Sequence, residues 1–135
     1  MKTQTGIWID SSKAIIVSLA EGKENITEIK SDIENRIYHE NEGDKGSFMG
    51  SHHLNNEKKF EERKRHQIDS FIKNIFEQIK QDDELYLFGP AEIKLKLKTL
   101  IENNKQLSPK LMSTETSDSM TLNQVVAKVR NFYDL

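Results

Sequence analysis

Leu85-Tyr86-Leu87-Phe88 is an unbroken apolar run bounded by Glu84 and Gly89. It is too short for a buried helix, and its residues favour strands, so it predicts a strand covered on both faces. Gly89 supplies a tight turn, and Pro90 suits the first position of a helix, where its missing N–H removes no bond. The chain therefore passes from a central strand into a helix with almost no loop, a junction typical of open α/β sheets.

The rest of the pattern is organised around that strand. Gly6-Ile7-Trp8-Ile9-Asp10 predicts a short strand and Ala14 to Leu19 a second, joined by the turn residues Asp10-Ser11-Ser12-Lys13. After Glu21-Gly22-Lys23, the stretch Asn25 to Tyr38 reads as extended. The spacing of Ile26, Ile29, Ile33 and Ile37 departs from two, which predicts an interruption near Ser31-Asp32. Residues 39–56 are polar and carry Gly43, Gly46 and Gly50, predicting a long flexible loop. From about Asn55 to Lys80, Phe60, Ile68, Phe71, Ile72, Ile75, Phe76 and Ile79 fall at helical spacing. Ile93 to Leu97 alternates like a strand, but the stripe Ile93, Leu97, Leu100, Ile101 and the helix-forming composition predict a helix. Lys110 to Glu115 is a last strand. Thr121 and Gln124 have the spacing of a capping box opening a final helix, whose inner face is Val125, Val126 and Val129 and which runs to about Phe132. The order predicts an α/β domain with a mixed sheet of about five strands, an antiparallel meander followed by two crossover units, and about three helices.

The 135 residues are the length of one domain, read as spanning 1–135. With 20 Lys+Arg against 22 Asp+Glu, bulk charge does not draw the chain to nucleic acid, and any such contact has to come from a local patch. There are no cysteines, so disulfides, thiolate metal sites and cysteine nucleophiles are excluded. No apolar stretch approaches a membrane span or a signal peptide, and the expectation is a cytoplasmic protein.

Four blocks then carry a resemblance. They are Gly6-Ile7-Trp8-Ile9-Asp10 with Lys13-Ala14-Ile15-Ile16-Val17; Glu62-Arg63-Lys64-Arg65-His66-Gln67; Phe88-Gly89-Pro90-Ala91-Glu92 with Lys94; and Glu115-Thr116-Ser117-Asp118-Ser119-Met120-Thr121 with Asn123-Gln124. In this order and spacing the chain resembles the middle domain of archaeal and eukaryotic class-1 peptide-chain release factors and of Pelota. It resembles still more the small stand-alone bacterial proteins related to that domain. The resemblance implies a ribonuclease-H-like three-layer fold, a role in translation or ribosome rescue, and ribosome or tRNA as partner. In true release factors the loop before the long helix carries the Gly-Gly-Gln tripeptide that promotes peptidyl-tRNA hydrolysis. Here the corresponding loop reads Gly46-Ser47-Phe48-Met49-Gly50-Ser51-His52-His53, and Gly-Gly-Gln occurs nowhere in the chain. The expectation is a non-catalytic protein without peptidyl-tRNA hydrolysis, cofactor, bound metal, membrane or DNA partner.

Several residue groups keep two readings each. Lys58, Lys59, Arg63, Lys64, Arg65 and His66 are candidates for gripping RNA phosphates, or form a solvated face paired with Glu57, Glu61 and Glu62. Gly89 and Ala91 mark either an anion-binding helix start or a tight turn. His39, His52 and His53 lack the spacing of a metal site. Asp10, Glu115 and Asp118 are the carboxylates of an alternative reading, a metal-dependent phosphodiester hydrolase, although the hairpin turn accounts for Asp10 and the loop before the Thr121 cap for Asp118. Trp8 reads as core, and Phe48 and Met49 as the exposed candidates for stacking on bases. Lys94, Lys98 and Lys105 read as surface. A third reading is a protein-interaction module whose loop orders on a partner.

Overall fold

The computed structural model describes residues 2–31, 50–90 and 92–134, with the side chains of 50–57 left out. Five strands form one sheet: β1 (Gln4–Ile9), β2 (Lys13–Ala20), β3 (Lys23–Lys30), β4 (Glu84–Gly89) and β5 (Leu111–Thr116). Among the described residues three helices accompany them: α1 (Gly50–Ile79), α2 (Ile93–Glu102) and α3 (Leu122–Phe132), with a short 3-10 turn at Ser108–Lys110. The strand order is β3-β2-β1-β4-β5. β1, β2 and β3 pair antiparallel, while β4 is parallel to both β1 and β5. This is the predicted α/β architecture with a mixed sheet, an antiparallel meander and two crossovers.

The pleat sends alternate side chains to two separate cores. Ile7, Ile9, Leu85 and Leu87 face α1 and α2, meeting Phe71, Ile75, Leu97 and Ile101. Trp8, Tyr86 and Phe88 face α3 and meet Val125 and Val129. The sheet is therefore covered on both sides, and Leu85 to Phe88 are completely buried because they serve both cores.

Boundaries differ from the pattern where a local rule gives way. β3 ends at Lys30, at the expected interruption, and Ser31 ties back to the first hairpin by donating its N–H to Ser12 O at 2.9 Å. The continuation to Tyr38 lies outside the described residues. α1 begins at Gly50, five residues before the expected start, and takes in the last part of the predicted 39–56 loop. No glycine or proline interrupts 51–79, so once nucleated the helix has nothing to stop it upstream of Asn55. α2 begins at Ile93, with Glu92 as its cap residue, so Pro90 lies before the helix and not at its first position. The alternating run Ile93 to Lys98 is helical, as its stripe of Ile93, Leu97 and Ile101 required. The Thr121 capping box is complete: Thr121 Oγ1 accepts from Gln124 N at 3.2 Å, and Gln124 Oε1 accepts from Thr121 N at 2.9 Å.

Candidate nucleic-acid interface

α1 is the element that sets the candidate site. Its 30 residues span roughly 45 Å, whereas the six residues of β4 span about 20 Å. The sheet-facing stripe starts at Ile68 and continues through Phe71, Ile72, Ile75 and Ile79. The helix before Ile68 thus extends past the core that the rest of it packs on. Phe60 is the exception there, being buried.

Helical geometry sorts the basic residues of this extension. Lys64 falls in line with Phe60 and Ile68, at spacings of four residues, and is accordingly half-buried. Lys58 and Arg65 are exposed but share their side of the helix with Glu62 and Asp69. Lys59, Arg63, His66, Ser70 and Lys73 succeed one another at spacings of four, three, four and three, and all five are exposed. That spacing aligns them in one ridge, on the side of α1 away from the Ile68–Ile75 stripe. No carboxylate interrupts the ridge over four turns; Glu77 closes it and pairs with Lys80 at 3.0 Å. The sequence reading took the basic residues as one group, and missed Ser70 and Lys73. Extending the four-three spacing beyond His66 would have found them.

The remaining candidates divide. Gly46 to Met49, His39 and Ala91 lie outside the described residues, and Gly50 to His53 form the opening turn of α1. Gly89 has φ of 152°, and a Cβ there would run into the Ile9 carbonyl of the adjacent strand, so the backbone conformation and the close approach of β1 both require glycine. Its own carbonyl accepts from Ser117 N at 3.0 Å. The start of α2 carries the exposed Glu92 as its cap residue, with no side-chain capping bond. Lys94, read as surface, is buried at 6% exposure, because the first turn of α2 turns it toward the side that also holds Ile101.

Of the three carboxylates of the hydrolase reading, Asp10 and Glu115 have separate structural roles. Asp10 Oδ1 caps the first hairpin, accepting from Ser12 N at 2.8 Å and Lys13 N at 2.9 Å. Glu115 Oε1 accepts from the Tyr86 hydroxyl at 2.9 Å and lies 3.7 Å from Lys128 Nζ. β4 separates β1 from β5, so Asp10 and Glu115 stand on strands about 10 Å apart. Asp118 is exposed in the loop before α3. Among the described residues no group of three or more His, Asp or Glu could hold a metal ion. Burial, joined by the hydrogen bond and the charge of Glu115, pushes the Tyr86 hydroxyl well above its ordinary titration range. Tyr86 is locked further by stacking on Phe132, with ring centroids 3.9 Å apart.

No protein-family model matches the chain, and no curated protein matches it in sequence. Among solved structures, the crystal structure of the archaeal translation termination factor aRF1 matches with a TM-score of 0.57 at 14% identity. The match covers 93% of this chain and 34% of that one. The fold is release-factor-like. The chain spans about a third of the length of the factor it matches. Among the described residues no helix is long and apolar enough to cross a membrane.

Proposed function

We propose that this chain is a non-catalytic, RNA-contacting component of translation or ribosome rescue, a Pelota-like bacterial relative of the release-factor middle domain. Residues 1–135 constitute one such domain, acting in the cytoplasm on the ribosome or on tRNA. The observation that carries this reading is the carboxylate-free ridge Lys59-Arg63-His66-Ser70-Lys73 on the extended half of α1. A near-neutral protein binds a polyanion through a local cluster of cations, and the ridge lines up Lys59, Arg63 and Lys73 on one exposed side of α1. The release-factor-like fold supports assigning the polyanion to RNA of the translation apparatus. The segment Gly46 to His53, whose last four residues open α1, takes the place of the Gly-Gly-Gln loop and contacts RNA without hydrolysing peptidyl-tRNA. Gly89 and Ala91 hold no ligand in this reading.

Co-sedimentation with ribosomes at low salt tests it. The wild-type protein is expected to pellet with ribosomes, and Lys59→Glu with Arg63→Glu to stay in the supernatant. Equal pelleting of both, with the variant's circular dichroism unchanged, would remove the ridge from the interface. No pelleting of the wild type at any salt would leave the likeness one of fold alone.

A further inference from the structure

Beside the ridge, α1 and α2 enclose an open groove of about 470 Å³. Its apolar lining comes from Ile72, Leu95 and Leu100. Leu95 is 46% exposed, so part of the apolar lining faces solvent. Each helix contributes one lysine, Lys73 from α1 and Lys96 from α2, and both are exposed. Lys73 is also the last member of the ridge, so the groove and the ridge are continuous through one residue. Thr99 and Asn103 add polar groups along α2, and Asp69 is the one carboxylate in the lining. The Thr99 hydroxyl donates to the Leu95 carbonyl at 2.9 Å, which leaves its oxygen able to accept a bond.

We propose that this groove holds one unpaired nucleotide of an RNA strand whose backbone follows the α1 ridge. The inference rests on the RNA reading above and adds a base-holding site to it. The volume falls within the range of small-ligand clefts, which run from roughly 300 to 1,000 Å³. An apolar wall shelters a base face, and lysines on two helices flank it where the adjoining phosphates leave the groove. Asp69 repels phosphate but accepts hydrogen bonds, so it belongs beside the base edge. It favours a base edge with two adjacent N–H donors, as the N1–H and N2 amino group of guanine offer, over uracil, which offers only N3–H.

Fluorescence anisotropy with labelled single-stranded RNA octamers tests the site. Thr99→Phe fills the groove from an exposed position. It is expected to weaken binding roughly tenfold, about 1.4 kcal/mol, while leaving the salt slope unchanged. Lys96→Ala is expected to lower the slope by about 0.7, the value for one phosphate of a single strand. An all-uridine octamer is expected to bind less tightly than one containing guanine. If Thr99→Phe binds like wild type while Lys59→Glu weakens binding, RNA stays on the ridge and the groove proposal falls alone. If wild type binds no RNA, both readings fall. Adenosine monophosphate binding as tightly as the octamer would make the ligand a free nucleotide and overturn the strand. A dimer in sedimentation equilibrium that Thr99→Phe abolishes would make the occupant a second copy of the chain.

Discussion

The side chain of Val129 occupies the space that a Cβ on Gly6 would fill. Gly6 lies in β1 and Val129 in α3, so this one missing side chain sets how closely the helix approaches the sheet. Both Val125 and Val129 are completely buried at that contact. The neighbouring row is fixed by Tyr133, whose hydroxyl donates to the Thr5 carbonyl at 2.8 Å.

Gly6→Ala is therefore expected to cost about 1–3 kcal/mol, the ordinary range for overpacking a core. The penalty arises from one contact, so it should couple to Val129→Ala. In a double-mutant cycle by urea unfolding, the pair is expected to be less destabilised than the sum of the two single variants. Strict additivity would place the strain elsewhere.

Gly89→Ala meets two obstacles together. The backbone is at a φ that side chains rarely adopt, and the new methyl is driven against the Ile9 carbonyl of the adjacent strand. Backbone strain and overpacking each contribute about 1–3 kcal/mol. The variant should lose more stability than Gly6→Ala, and thermal unfolding followed by circular dichroism gives the order directly.

Asp82 gives a pH prediction with a defined sign. Burial pushes its carboxyl above the ordinary value of 3.8, against the opposing hydrogen bond that Thr5 Oγ1 donates at 2.8 Å. The folded state then holds this proton more tightly than the unfolded state does. Its contribution to stability is therefore greatest below 3.8 and declines as pH rises through the raised folded value. Asp82→Asn keeps an acceptor for Thr5 and removes the buried charge. It should raise stability at neutral pH and flatten the decline, as measured by urea unfolding across the carboxylate range. Glu84 has the opposite sign: the hydrogen bond from Gln4 lowers its carboxyl, and its contribution is lost on acidification.

The ridge predicts a salt dependence that bulk charge does not. For single-stranded RNA, each neutralised phosphate adds about 0.7 to the slope of log affinity against log salt. Removing two cations with Lys59→Ala and Arg63→Ala should lower the slope by about 1.4. Lys58→Ala with Arg65→Ala removes the same charge from the side shared with Glu62 and Asp69, and should change the slope less. Equal effects from the two pairs would show that net charge, and not its arrangement on α1, governs binding.

The strands, the helices and their order were legible in the chain because each rests on local periodicity. Leu85 to Phe88 could only be a doubly covered strand, Val125 and Val129 could only face inward, and Thr121 with Gln124 fixed the start of α3. The basic character of early α1 was equally plain. Helical spacing already set Lys64 in line with Phe60 and Ile68, and the tertiary structure bears this out in the half-burial of Lys64 and the exposure of Lys59. Tertiary structure alone decided that Lys94 is buried, since no local pattern distinguishes a lysine turned inward from one turned out. It separated Asp10 from Glu115 by inserting β4 between their strands. It also brought Lys73 and Lys96 to one groove. Periodicity along a chain reports the direction in which each side chain leaves its own element, whereas the groove exists only because two helices, distant in sequence, are laid side by side on the same face of the sheet.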